Sequence, residues 1–551
     1  MTHVWQQNFD PLGSPALSTV AAALPVCTLF YLLAVRRTPA WKAAAYGFLM
    51  GIGVALLVFH MPVQMAAGAV TDGLVFGWWR MAWILVGAVF VYDISVESRQ
   101  FDIIKQSIGG ISADRRLQLL LIAFAFGAFL EGAGGGGAPV AVTGAMLVGL
   151  GFPPFETALI CLIANSAPVA FGGLGNPVRT LVAVTGLAEA DFSAMIGRIL
   201  VIIILILPFW LMFVFCKTRE VLAVWPALVV AGVCSATLQY FWSNYIDASL
   251  VNIVAGLGTL LLLAVFLGKL WHPREIWGFK NEPAAPSVAA AEKPGVGRVF
   301  LAWSPFLILS AMVVLWGAPP VLKILDKTSW KPPVPGLHGM VMRMPPVTAK
   351  PAAEPAIFDF SWLTSPGTAA FFAGLISGPL LGLSLRRTLQ VFVESLWRIR
   401  QSLAAILCML ALGYLTRYGG MDATLGMAMS HTGVLFPFFG TLIGWLGVAL
   451  SGSDAGSNAL FGSFQAITAN RLGLSPILMG AANSAGGVMG KMIAAQSLVI
   501  AAAVTGEAGK EGILFRKVLK HSLGLAVLVG LLVLMYAYIF PGAIPKGHHY
   551  W

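Results

Sequence analysis

Three ionisable residues, Glu131, Asp454 and Lys491, stand inside otherwise apolar stretches of this 551-residue chain. A charge at bilayer depth costs roughly 2.5–3.5 kcal/mol on insertion scales, so its presence marks a site. Either carboxylate is a candidate carrier of a coupling proton, the competing role being a fixed ion pair with Lys491 or Arg198. Lys491 is a candidate counter-charge to an anionic substrate, or a structural partner of Asp454. The hydroxyls and amides of Asn165, Ser166, Ser453, Ser457, Asn458, Asn483, Ser484 and Gln496 can hydrogen-bond a carboxylate or a hydroxyl. They can equally satisfy interrupted backbone. Gly134, Gly135 and Gly136, in a run opened by Glu131, let backbone approach a ligand closely because glycine has no Cβ. The same run could serve helix packing alone.

The elements that must hold these residues are membrane helices. Hydrophobic residues make up 58% of the chain and charged ones 10%, against roughly 25% charged in a soluble domain, which excludes a soluble globular protein. Apolar stretches of about 18 residues or more predict an all-α polytopic membrane protein rather than a barrel of alternating strands. The net charge of +11 sits mainly in loops, so it reports orientation in a lipid bilayer and predicts no nucleic-acid partner. Cys27, Cys161, Cys216, Cys234 and Cys408 form no CxxC pair and read as small core residues. With no HExxH, no CxxCH and no His/Cys cluster at ligand spacing, no metal or cofactor and no enzyme activity is expected. A proton is the expected coupling ion and sodium the open alternative. The oligomeric state is not readable from the sequence.

Two regions, 117–187 and 434–507, are cut by Gly, Ser, Asn and Pro into pieces of about 14 residues, too short to span alone. A shift of about 320 residues lays LEGAGGGGAP at Leu130 over LSGSDAGSNA at Leu450, ANSAPVAFGG at Ala164 over ANSAGGVMGK at Ala482, and AVTG at Ala183 over AVTG at Ala503. Three matches in one order indicate an internal duplication. Arg99, Lys105, Arg115 and Arg116 have no basic counterparts in 418–433, and Arg386, Arg387, Arg398 and Arg400 face only Arg80, so the halves are read as inverted. The expectation is about 12 transmembrane helices plus two re-entrant hairpins, near 117–150 and 446–470, and two broken helices, near 155–186 and 475–506. The halves are 1–268 and 366–551. Between them, 269–365 carries a helix at 300–317 flanked by polar and Pro-rich linkers. Helix counting puts both termini outside, with one conflict: the basic loop 318–365 also falls outside. Non-helical backbone at membrane depth is tolerated only in protein or beside a wet cavity, so two matched breaks predict a binding site whose half-helix ends favour an anion. Asp93 and Asp102 read as solvated helix-end residues. Arg179, in GNPVRT just after the first break, could face the same cavity.

From WQQNFDP at Trp5 through FVYDISV at Phe90, QFDII at Gln100, GAFLEGAGGGGAPVA at Gly127, NSAPVAFG at Asn165, RMPPV at Arg343, GWLGVALSGSDAGSNALF at Gly444, NSAGGVMGKMI at Asn483 and KHSL at Lys520, the chain resembles the lactate permease family of bacterial carriers. That resemblance implies a secondary transporter of the bacterial cytoplasmic (inner) membrane that takes up lactate, glycolate and related small 2-hydroxymonocarboxylates with protons. A sodium-coupled carrier, or an exchanger of another small organic anion, is the alternative. Gly136 stands where such permeases carry phenylalanine, Asn176 where they are apolar, and Ala494 and Ala495 where they carry Ser-Pro. A missing ring enlarges a pocket or loosens a hairpin tip, which implies a substrate larger than lactate or a different small anion.

Overall fold

The computed structural model describes residues 4–32, 36, 38–135, 137–279, 295–345, 350–548 and 550. The chain is a helical membrane protein. Among the described residues eight helices are long and apolar enough to cross a bilayer, or up to ten if each of two bent pairs is one span. The expectation of about 12 is larger, and two apolar helices near the N-terminus, Pro15–Leu29 and Trp41–Leu57, are shorter than the roughly 20 residues that cross a bilayer. Some spans are long: one runs Val63–Glu97 through a π-helical stretch at Gly77–Ala82, and another runs Leu385–Gly419. The second ends where Gly420 turns left-handed at φ 84°, as glycine does at little cost.

Both interrupted regions fold back on themselves. Arg115–Ala133 and Ala138–Gly149 meet around Gly135 and Gly137, both at positive φ, and a Cβ on Gly127 would lie 3.7 Å from Thr143 Cγ2 across the fold. Phe436–Ser451 and Asp454–Arg471 turn at Gly452, φ 72°, with Ser453 Oγ capping the second arm by accepting from Gly456 N at 3.1 Å. Each hairpin is followed by a bent pair: Pro154–Ala164 with Ala167–Thr185, bent 45°, and Pro476–Ile493 with Gln496–Thr505, bent 41°.

The packing of these four units is partly crosswise: the second broken helix lies along both arms of its own hairpin, and each half also reaches the other. A Cβ on Gly462 of the second hairpin would lie 2.7 Å from Val184 of the first broken helix, and one on Gly137 of the first hairpin 2.7 Å from Ile500 of the second broken helix. Small residues thus let each broken helix lie against the hairpin of the opposite half.

The Pro-rich stretch 318–365 is more than a linker. Strand β1 (Trp5–Gln6) pairs in parallel with β2 (Val341–Arg343), which pairs antiparallel with β3 (Ala352–Ala353). Strands of two or three residues carry no readable periodicity, and β1 lies more than 330 positions away from its partner. Glu354 then takes Arg343 at 2.9 Å and Arg417 at 2.6 Å, and Arg417 also donates to Ala183 O at 3.1 Å. Gln7 donates to Tyr418 O at 2.8 Å, and His548 N donates to Asp191 at 2.8 Å, so both ends of the chain converge near 183–191. The pairing of Arg343 and Lys331 with acidic neighbours, at 2.9 and 3.3 Å, offsets part of this loop's basic excess.

Asp93 is not solvated. It is 9% exposed and takes Arg398 at 2.6 Å and Ser395 at 2.5 Å, tying the two halves together. Asp102, paired with Lys105 at 2.6 Å, does face outward. Of the five cysteines only Cys161 is fully buried, and Cys27 is exposed.

Candidate functional site

The charges singled out in the sequence converge although more than 300 residues separate the first from the others. Glu131 ends the first arm of hairpin one, Asp454 begins the second arm of hairpin two, and Lys491 sits at the bend of the second broken helix. They are 3%, 2% and 6% exposed, and Lys491 is under the electrostatic influence of both carboxylates. Its short hydrogen bond is to a carbonyl, Gly452 O, at 2.5 Å, which pins the ammonium to the tip of the second hairpin. Arg198 is engaged elsewhere, by Asn244 Oδ1 at 2.9 Å and Ala543 O at 2.6 Å.

Each carboxylate lies against a glycine of the following broken helix. A Cβ on Gly172 would sit 2.5 Å from Glu131 Oε1, and one on Gly487 would sit 2.6 Å from Asp454 Oδ1. The two glycines therefore make room for the carboxylates, a role the sequence reading did not assign. Asp454 Oδ2 accepts from Ser484 Oγ at 2.5 Å. Asn165 lies close enough to Glu131 to act on its carboxylate, but no hydrogen bond of normal length joins them, and Glu131 Oε2 and both polar atoms of the Asn165 side chain complete none among the described residues.

The amides of the second half are instead knitted together. Asn483 Nδ2 donates to Asn458 Oδ1 at 2.8 Å and to Ser457 Oγ at 3.4 Å, while Gln465 Nε2 donates to Asn483 Oδ1 at 3.3 Å. Asn458 Nδ2 then crosses to the first broken helix and donates to Pro177 O at 3.1 Å. Pro177 O and Gln465 are participants that sequence spacing did not single out. Gln465 is one of several polar residues in the helix Asp454–Arg471, so its type alone did not mark it, and a backbone carbonyl carries no signal.

Other candidates have narrower tasks. Ser166 Oγ donates to Ile163 O at 2.7 Å within its own helix, and Ser453 is the helix cap already described. Gly134 N and Gly135 N both donate to Leu130 O, at 2.9 and 3.4 Å, so these amides close a helix end and the glycines contribute conformation rather than free donors. Gln496 is exposed, with its carbonyl oxygen over the tip at Gly452, where a Cβ would come within 3.2 Å. Gly136 lies outside the described residues. Asn176 is 6% exposed, with Oδ1 unpartnered among the described residues. Ala494 is buried at the second bend.

Such an arrangement suits a small anion better than covalent chemistry. One cation lies within electrostatic reach of two carboxylates, and unsatisfied amide and carboxylate atoms lie at a break lined by glycine. A buried polar atom without a partner costs about 1–3 kcal/mol, which a bound ligand or water can remove.

Known proteins resemble the chain along nearly its whole length. The profile of the family described as L-lactate permease matches residues 18–540. The chain is 43% identical over 551 residues to an L-lactate permease of Salmonella typhimurium, covering 98% of this chain and 100% of that protein. It is 42% identical over 561 residues to the glycolate permease GlcA of Escherichia coli, covering 98% and 99%, and 40% identical over 567 residues to an L-lactate permease of Bacillus subtilis, covering 98% and 100%. Among solved structures, MtrF of Neisseria gonorrhoeae overlays with a TM-score of 0.45 at 14% identity, covering 88% of this chain and 86% of that one. The YdaH transporter of Alcanivorax borkumensis does so at 0.33 and 15%, covering 78% and 86%.

Proposed function

The chain belongs to the L-lactate permease family, and from that membership we propose that it is a proton-coupled secondary transporter of L-lactate, D-lactate, glycolate and related small 2-hydroxymonocarboxylates. The carrying observation is the convergence of Glu131, Asp454 and Lys491 beside the unpartnered amide of Asn165. Lys491 draws the substrate carboxylate, and Asn165 offers a donor and an acceptor, the pair that a 2-hydroxyl requires.

Charge arithmetic then links substrate to proton. With every group ionised, one Lys491 faces two carboxylates, and an arriving monocarboxylate makes three negative charges against one positive. An uncompensated buried charge costs several kcal/mol, so the anion is accommodated when Glu131 or Asp454 takes a proton. The crosswise packing of hairpins and broken helices supplies two bodies that can rock about the site and open it to either side in turn. The site belongs to a protein of the bacterial cytoplasmic membrane with both termini on the outer face.

Labelled L-lactate uptake into proteoliposomes under an inward proton gradient, without sodium, tests the reading. Uphill uptake abolished by a protonophore is expected, with glycolate competing. Uptake that needs sodium and collapses when choline replaces it would give the coupling role to sodium instead. Failure of lactate and glycolate to enter or compete, in folded protein, would overturn the substrate class.

A further inference from the structure

We propose that Arg179 is a positioning residue whose guanidinium clamps a left-handed turn, Gly173–Leu174–Gly175, against the tip of the first hairpin and so shapes the substrate site. The three residues have φ of 51°, 58° and 74°. For glycine that region is freely accessible, but for a leucine it crowds Cβ against the following carbonyl. Leu174 is fully buried, so the turn persists only because its surroundings hold it.

Arg179 is the group best placed to hold it. Nη1 donates to Leu174 O at 2.6 Å, fixing the carbonyl of the strained residue, and Nη2 donates to Ser249 Oγ at 2.7 Å. Glu189 at 3.1 Å and Asp247 at 3.8 Å flank the same guanidinium. With two carboxylates around it, Arg179 has no surplus positive charge to offer a substrate. A planar fork can reach a carbonyl, a hydroxyl and two carboxylates together, whereas an ammonium cannot reproduce that geometry.

The turn leads directly to the site. A Cβ on Gly135 would lie 3.4 Å from Gly173 N, next to the Glu131 carboxylate, and Pro177 O, two residues beyond the turn, is the acceptor of Asn458. A relaxed turn would therefore shift both the glycine tip beside Glu131 and the bridge to the second half.

The uptake arm of the test rests on the proposed transport activity; the exchange arm does not. Arg179→Lys keeps the charge and loses the fork. It is expected to raise amide hydrogen exchange across 173–176 about tenfold and to lower the maximal lactate uptake rate about tenfold, with KM within twofold. Adding Leu174→Gly, which removes the side chain that resists the turn, should restore the rate to within about threefold of wild type. Unchanged exchange and rate in Arg179→Lys would overturn the proposal, as would a loss that Leu174→Gly leaves untouched. A tenfold rise in KM at constant maximal rate would make Arg179 a substrate contact instead, also overturning it. Should Arg179→Lys not fold, Ser249→Ala removes one acceptor of the fork and should give a threefold loss with the same rescue; no loss would refute the clamp. Wild-type protein that takes up neither lactate nor glycolate would fail the transport reading while the exchange arm still decides the clamp.

Discussion

The two broken helices carry the same Asn-Ser pair and use it differently. Asn483 and Ser484 are engaged by Asn458, Ser457, Gln465 and Asp454, whereas among the described residues both polar atoms of the Asn165 side chain are unpartnered and Ser166 Oγ donates to Ile163 O just before the break. The second break is the more fully hydrogen-bonded and presents Lys491, although Asp454 Oδ1 and Gln465 Oε1 stay without a partner among the described residues; the first leaves both polar atoms of its asparagine open beside Glu131. A polar group already saturated contributes to stability, and one left open is available to a ligand. Two similar frames thus differ in how far their asparagines are satisfied among the described residues.

The severest way to break this comparison is to remove the charge that the two halves share. Lys491→Ala leaves Glu131 and Asp454 buried without an opposing charge, and should cost about 3–5 kcal/mol in thermal unfolding and abolish coupled uptake. An unmoved melting curve would mean that the carboxylates need no counter-charge. Next comes the asparagine pair. Asn483→Ala severs three hydrogen bonds and should lose about 2 kcal/mol, while Asn165→Ala should change stability by less than about 0.5 kcal/mol yet lower uptake at least tenfold. Equal destabilisation by both would erase the proposed distinction. A glycine test follows, since Gly172→Ala and Gly487→Ala each force a carboxylate aside at a cost of about 1–3 kcal/mol. Substrate competition should shift in Gly172→Ala, and the melting temperature should fall in both. The serines give the smallest contrast. Ser484→Ala removes the hydroxyl donor of Asp454 and should cost about 1.5 kcal/mol, whereas Ser166→Ala should stay within about 0.5 kcal/mol with uptake within twofold of wild type.

Much of the site was legible because bilayer depth makes polarity expensive. Glu131, Asp454, Lys491 and the Asn-Ser pairs stand out from apolar neighbours by type alone, and the runs of Gly, Ser and Asn mark where helices must break. Division of labour among them was not legible. Nothing in the spacing distinguishes Asn165 from Asn483, because the side-chain partners of Asn483 come from another helix, Asp454–Arg471. Gly172 and Gly487 look like the many glycines of any membrane helix until a carboxylate is found against each. Asp93 read as a solvated helix end because Arg398, which takes it, lies 305 residues away.

Local chemistry therefore settled what this chain could determine alone: a polytopic helical membrane protein, two interrupted regions, and the identity of the costly residues within them. Hydropathy and backbone preference act over a few neighbouring residues and survive in the linear order. Which hairpin lies on which broken helix, the clasp of Arg179 on Leu174, and the meeting of Lys491 with both carboxylates depend on pairs hundreds of positions apart. Only closing the fold brings such groups within hydrogen-bond or Coulomb range, and so only the tertiary structure decided them.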